Sequence, residues 1–266
     1  MDEQVERIAD SEPAQTADPP EFLLAGRHVV LTRALSYLGR VQAARLLFAG
    51  ARVTLLDLPS LHPDATDLSK DWQDVRFCGV DLNVMPDVHR VAGLLETQGP
   101  VDILVNNVAP GLRAQFGPLS VDDFERQLQS NCTAAFVMTR AASEGMKRRG
   151  RGSVINVCAP THQGEWNGLT SHASTNSAIV GLTRSLAREL GAHGIRVNSV
   201  SPGAVTSPAD IRIFGERLAE YDEWVIRNQC LKHRVRAEDV ADLVLFLACD
   251  RSSMITGQNI SVDGGW

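Results

Sequence analysis

The stretch Gly152–Pro202 reads GSVINVCAPTHQGEWNGLTSHASTNSAIVGLTRSLARELGAHGIRVNSVSP. It holds a buried strand, a loop, a long helix and a second buried strand. Ser153–Val157 is apolar and β-branched, which suits a strand covered on both faces. From Ser177 to Leu190, the apolar residues Ala178, Ile179, Leu182, Leu186 and Leu190 recur at helical spacing, so one face of that helix packs. Gly191 and Gly194 supply its stop. Ile195–Val200 then restarts an apolar strand.

Composition fits one large α/β domain. The 266 residues suffice for a substantial core. A net charge of −6 argues against nucleic acid or an anionic membrane as partner. No apolar run approaches a transmembrane span, and no basic segment followed by an apolar one opens the chain. Cys78, Cys132, Cys158, Cys230 and Cys249 are widely spaced and contain no C-x-x-C, so a reduced, cytoplasmic setting is expected. Cysteines and histidines do not cluster at ligand spacing, so no metal site is expected.

Other segments extend the pattern on either side. Residues 1–20 are polar and acidic and end in Pro19-Pro20, which reads as a disordered tail before a domain spanning 21–266. His28–Thr32 reads as the first strand and Gly39–Ala49 as the helix after it. Arg52–Asp57 is a second strand ending in an acid. Phe77–Leu82 ends in Asp81-Leu82, and Val101–Asn106 is a fourth strand running into Asn107-Val108-Ala109 and the Pro110-Gly111 turn. Val121–Met138 reads as a long helix containing Asn131. Ala237–Cys249 is a helix with acids in its first turn, and Thr256–Gly265 a last strand and turn.

The run GLTRSLARELGAHGIRVNSVSPG resembles the short-chain dehydrogenase/reductase family, and the resemblance extends over about residues 24–266. It implies a single Rossmann-like doubly wound domain with a mostly seven-stranded parallel sheet flanked by helices, and a substrate lid over about 204–234. In that register the family's Tyr-x-x-x-Lys falls on His172 and Asn176, and its Ser on Ala159. No Tyr-x-x-x-Lys occurs elsewhere in the chain. The family's Thr-Gly-x-x-x-Gly-x-Gly turn reads Thr32-Arg33-Ala34-Leu35-Ser36-Tyr37-Leu38-Gly39, so only Gly39 is kept. Such glycines let backbone approach a pyrophosphate and a helix pack on its strand. Arg33 and Tyr37 obstruct that approach, although Arg33 is also able to pair with a phosphate.

The resemblance assigns further roles. Asp57 stands where a carboxylate holds a ribose 2′-OH, favouring NAD over NADP, or it caps a turn. Asp81 resembles an adenine contact, and Asn107 and Asn176 remain as polar cofactor contacts. NAD binding is therefore expected to be weakened or absent. Asn131 matches a helix-kink asparagine. His172 is the acid–base group left at the catalytic positions, against the reading of a pocket-wall histidine. Thr161, His162, Glu165 and Trp166 border the same pocket, while Cys158 reads as buried and inert.

These residues leave three readings. In the first, the chain is a non-catalytic subunit associated, as a homo- or hetero-oligomer, with an active short-chain dehydrogenase acting on a small-molecule alcohol or ketone. The second is a repurposed enzyme that eliminates, cyclises or isomerises through His172. The third is an atypical NAD-dependent oxidoreductase.

Overall fold

A computed structural model describes residues 23–69, 74–97, 99–107, 114–160 and 167–266. Seven strands are present: β1 (His28–Thr32), β2 (Arg52–Asp57), β3 (Val75–Gly79), β4 (Ile103–Asn107), β5 (Gly152–Val157), β6 (Ile195–Pro202) and β7 (Asn259–Val262). They form one sheet in the order β3-β2-β1-β4-β5-β6-β7. Each neighbouring pair runs parallel. The seven-stranded parallel sheet of the Rossmann type, expected from the sequence, is the fold this chain adopts.

The connections are helical, as parallel strands require. Before β5 come α1 (Tyr37–Phe48), α2 (His62–Ser69), α3 (Met85–Thr97), α4 (Val121–Leu128) and α5 (Ala134–Arg149). After it come α6 (Thr170–Leu190), α7 (Pro208–Phe214), α8 (Leu218–Asn228) and α9 (Ala237–Ala248).

Consecutive strand residues serve opposite layers. Leu31, Leu55, Val105 and Ile155 pack with Leu46 of α1 and Val244 of α9. Their neighbours Val30, Leu56, Leu104 and Val154 pack with Val91 of α3, Met138 of α5 and Leu190 of α6. This explains why the strands read as unbroken apolar runs: side chains alternate, yet both faces are covered. No helix among the described residues is long and apolar enough to cross a membrane.

Two helices differ from their sequence reading. The helix expected from Ser177 begins at Thr170. Its first turns are polar, which hides them from an apolar pattern. They are nevertheless buried at Ser171, Thr175 and Asn176, and Thr175 Oγ1 donates to the Ser171 carbonyl at 2.8 Å. The helix expected over Val121–Met138 runs on to Arg149, interrupted by a π-turn at Gln129–Thr133 that contains Asn131. A π-turn adds a residue to the helical ladder without ending it, and such turns favour functional sites.

His28 opens β1 deep between elements. Its ring nitrogens meet Thr54 Oγ1 at 2.8 Å and the Pro100 carbonyl at 3.2 Å. Burial pushes its pKa below the usual 6.5, with the Pro100 hydrogen bond opposing. A histidine depressed in the folded state binds fewer protons there than in the unfolded chain. Its contribution to stability is therefore full above about pH 6.5 and falls as the pH drops below it. Urea unfolding midpoints should decline from pH 7.5 to pH 5, and His28→Gln should flatten part of that decline. An unchanged slope in the variant would remove His28 as the cause.

Candidate functional site

A cleft of about 610 Å³ opens at the carboxyl ends of β1, β2, β4, β5 and β6. Chain order reverses between β1 and β4, and such switch points leave a crevice in open α/β sheets. Its volume lies in the usual range for a small-molecule site. Arg33, Tyr37, Asp57, Asn107, Ala159 and His172 all line it.

The β1–α1 turn forms one wall. Arg33 has φ +48°, which makes it the one left-handed non-glycine among the described residues. That conformation costs an L-residue roughly 1–2 kcal/mol. The Arg33 carbonyl accepts from Ser36 N at 3.2 Å and Ser36 Oγ at 2.8 Å. Ser36 caps α1, accepting from Gly39 N at 3.1 Å. A Cβ on Gly39 would lie 2.3 Å from the Arg33 carbonyl oxygen, so this glycine is required by the packing of turn on helix. Tyr37 opens α1 and is 44% exposed. Arg33 Nε is buried without a hydrogen-bond partner. Burial lowers the pKa of this guanidinium, while the nearby Asp57 and Asp81 oppose the shift.

Asp57 is buried, and its carboxylate is held by backbone. Oδ2 accepts from Leu35 N at 2.8 Å, and Oδ1 accepts from Leu58 N at 2.9 Å. It thus ties the β1–α1 turn to the end of β2 while lining the cleft. Asp81 Oδ1 accepts from Asn83 N at 2.9 Å and Asn83 Nδ2 at 2.8 Å, fastening its own turn. Asn107 Nδ2 donates to the Thr32 carbonyl at 3.0 Å and to Gln42 Oε1 at 2.8 Å. Its two amide hydrogens are therefore used inside the fold.

Behind Asn107 runs a polar network that the sequence reading missed. Asn106 Nδ2 donates to Asn156 Oδ1 at 2.9 Å, and Asn156 Nδ2 donates to Thr183 Oγ1 at 2.9 Å, linking β4, β5 and α6. Its signal was present, since Asn106 and Asn156 are polar residues within otherwise apolar strands. Asn131, on the π-turn, borders a void of about 10 Å³ shared with Thr32, Asn107 and Ser130. That is room for about one water molecule.

β5 and α6 supply the remaining positions. Ala159 lines the cleft just past β5. Cys158 beside it is buried, with its sulfur 3.0 Å from Ser201 Oγ. Burial pushes its pKa up to about 11, so the thiol stays protonated and inert. His172 lies in the first turns of α6. Its Nδ1 is buried with no partner, and burial lowers its pKa, so the ring is neutral at pH 7. Asn176 is one turn further on. Its Nδ2 donates back to the His172 carbonyl at 2.7 Å. Val108, Ala109, Pro110, Gly111, Thr161, His162, Glu165 and Trp166 lie outside the described residues.

The segment expected to form a lid folds as α7 and α8. Phe214 stacks on Tyr221 with centroids 3.8 Å apart, and Trp224 meets Trp266 edge-on at 5.2 Å. Arg234 fastens the segment. It lies 5.0 Å from the Tyr221 centroid, pairs with Asp210 at 3.1 Å and with Asp222, and donates from Nε to the Ala204 carbonyl at 3.2 Å. Among the described residues, no group of three or more His, Cys, Asp or Glu gathers where a metal ion could be held.

Known proteins share this fold. The family model described as enoyl-(acyl carrier protein) reductase matches residues 34–266. The chain is 32% identical to carbonyl reductase [NADPH] 2 of Sus scrofa over 247 residues, covering 91% of this chain and 97% of that protein. It is 33% identical to L-xylulose reductase of Bos taurus over 250 residues, covering 92% and 98%. A solved structure described as a short chain dehydrogenase/reductase family protein superposes with a TM-score of 0.80 at 31% identity, covering 91% of this chain and 97% of that one. With the sheet order, the switch-point cleft and similarity over nearly the whole length in agreement, this chain belongs to the short-chain dehydrogenase/reductase family.

Proposed function

We propose that this chain is a non-catalytic subunit of a cytoplasmic assembly with an active NAD-dependent family member that acts on a small-molecule alcohol or ketone. One observation carries the reading. At the three positions that deliver a proton in the family, Ala159 has no polar side-chain atom and Asn176 donates to its own helix. His172 alone is left there to donate or accept a proton. Reducing a carbonyl needs a proton donor beside the substrate oxygen, and such general acid–base help is worth roughly 10²–10⁴-fold in rate.

The β1–α1 turn fits a dinucleotide poorly. A side chain at Arg33 and a phenol at Tyr37 stand where phosphate has to approach backbone, and Ser36 already caps the Gly39 amide. NAD is accordingly held weakly or not at all. The choice of alcohol or ketone follows the names of relatives, carbonyl reductase and L-xylulose reductase. Val121 on α4 is 70% exposed and Phe136 on α5 is 42% exposed, which leaves an apolar side chain on each helix open to solvent.

A second reading, non-redox acid–base chemistry, is favoured by His172 itself. A neutral imidazole lining a cleft is a proton acceptor, and burial makes it a weaker base than a free histidine.

Native mass spectrometry of the protein taken from its own host separates the readings. The first expects a mixed oligomer with cofactor only on the partner, and His172→Ala should leave that assembly and its activity unchanged. A homo-oligomer whose small-molecule turnover vanishes in His172→Ala supports the second. A homo-oligomer carrying NAD in every subunit, or ordinary NADH-linked carbonyl reduction by the purified chain, defeats both.

A further inference from the structure

We propose that the amino-terminal end of the sheet, opposite the cleft, binds a small phosphate-bearing anion on Arg27 and Arg151 beside Asp102.

Asp102 precedes β4 and is buried at 8% exposure. Its Oδ2 accepts from His28 N at 2.9 Å, which fixes the carboxylate. Its Oδ1 then lies 3.8 Å from Arg27 Nη1, 3.4 Å from Arg149 Nη2 and 3.9 Å from Arg151 Nη2. One oxygen is thus set against three guanidinium groups. Asp250 adds a second carboxylate, 2.9 Å from Arg27 Nη2, but its side chain is 86% exposed and its charge is well screened. Three cations face two anions, and one of those anions stands mostly in water.

The excess charge has unused donors. Arg149 Nε and Nη1 are buried with no hydrogen-bond partner. Among the described residues, the Arg151 guanidinium approaches only Asp102, beyond hydrogen-bond range. Burial lowers the pKa of Arg149, Asp102 opposes, and repulsion from Arg151, Arg27 and Arg148 lowers it further. Arg149 is occupied by Asp102 and by the Val101 carbonyl, so the charge left for an anion is that of Arg151, which lines the hollow beside Arg27.

There is space for one. A hollow of about 260 Å³ is lined by Arg27, Asp102, Arg151, Gly194 and Arg196. A second, of about 280 Å³, is lined by Pro100, Val101, Arg148 and Arg149. The floor is closely packed: a Cβ on Gly152 would lie 2.4 Å from Met146 Sδ, and one on Gly194 would lie 2.1 Å from the Gly150 carbonyl oxygen. A phosphate dianion offers oxygens in several directions, which suits guanidinium forks converging from different elements. Arg27 comes from the segment before β1, whereas Arg151 lies between α5 and β5.

The test is a phosphorus NMR titration of the full chain at constant ionic strength, using inorganic phosphate and, separately, ribose 5-phosphate. Saturable broadening is expected. Arg151→Ala, at a side chain 58% exposed, should weaken binding at least fivefold without loss of fold. Asp250→Asn should tighten it by freeing Arg27, while Arg217→Ala, on the distant lid, should change nothing. Tighter binding of the ester assigns the site to a phosphorylated metabolite, and equal binding assigns it to free phosphate. Absence of saturation with both probes, or Arg151→Ala binding like the unaltered chain, overturns the proposal. The site is independent of the cleft, so its fate and that of the proposed subunit role are decided separately.

Discussion

Rebuilding the family's residues should create NADH-linked carbonyl reduction at least ~10²-fold above the unaltered chain, the lower end of what general acid–base catalysis contributes. The variant combines Ala159→Ser, His172→Tyr and Asn176→Lys with Arg33→Gly and Tyr37→Gly. The two turn substitutions act on binding. Glycine at position 33 suits its φ of +48° and relieves a cost of roughly 1–2 kcal/mol, against about 0.5–1 kcal/mol of added backbone entropy, so the turn keeps its shape. They should tighten NAD at least tenfold, or ~1.4 kcal/mol, without giving turnover. The other three act on chemistry. A hydroxyl at position 159 orients a carbonyl, a phenol at position 172 supplies the proton, and an ammonium at position 176 favours the phenolate that remains. Calorimetry reads the first effect and NADH absorbance the second. Comparable turnover by the unaltered chain would refute the loss of function. A folded, NAD-loaded five-fold variant no faster than Arg33→Gly/Tyr37→Gly would refute the role given to the three positions.

Gly194→Ala should lower stability by about 2–5 kcal/mol. The glycine closes the 3-10 turn that follows α6, at φ +70°, and its missing Cβ makes room for the Gly150 carbonyl, itself in the left-handed turn that ends α5. An alanine adds a left-handed cost of roughly 1–2 kcal/mol. Overpacking adds about 1–3 kcal/mol, because a Cβ placed 2.1 Å from a backbone oxygen requires one chain segment to move. The melting temperature should fall by roughly 5–15 °C for a domain of this size. Gly181→Ala is the control. It lies exposed within α6 with nothing within 4 Å of the added carbon, so it should raise stability by about 0.5–1 kcal/mol. Equal melting temperatures for the two variants would show that the Gly150–Gly194 contact constrains nothing.

Much of the fold was legible in the residues. β1 and β2 occupy the spans read for them, because continuous apolar runs between turn residues have few other uses. The stop at Gly191–Gly194 was equally local, a left-handed glycine closing a helix. The start of α6 was not legible, since Ser171 and Thr175 are buried by packing rather than by hydrophobicity, and the π-turn left no periodic trace.

The site divides in the same way. The sequence alone determined which residue types stand at each family position: Ala159, His172, Asn176, Arg33 and Tyr37. It also placed the cleft, because a parallel α/β chain of this order has its crevice at the strand ends. Only the tertiary structure decided where those groups point and what holds them. Asn176 turns to its own helix, Asp57 is held by Leu35 and Leu58 amides, and Asp102 is gripped by His28 from 74 residues away. Strand and helix are set by neighbours a few residues apart, whereas hydrogen-bond partners and uncompensated charge depend on segments that meet only after the chain has folded.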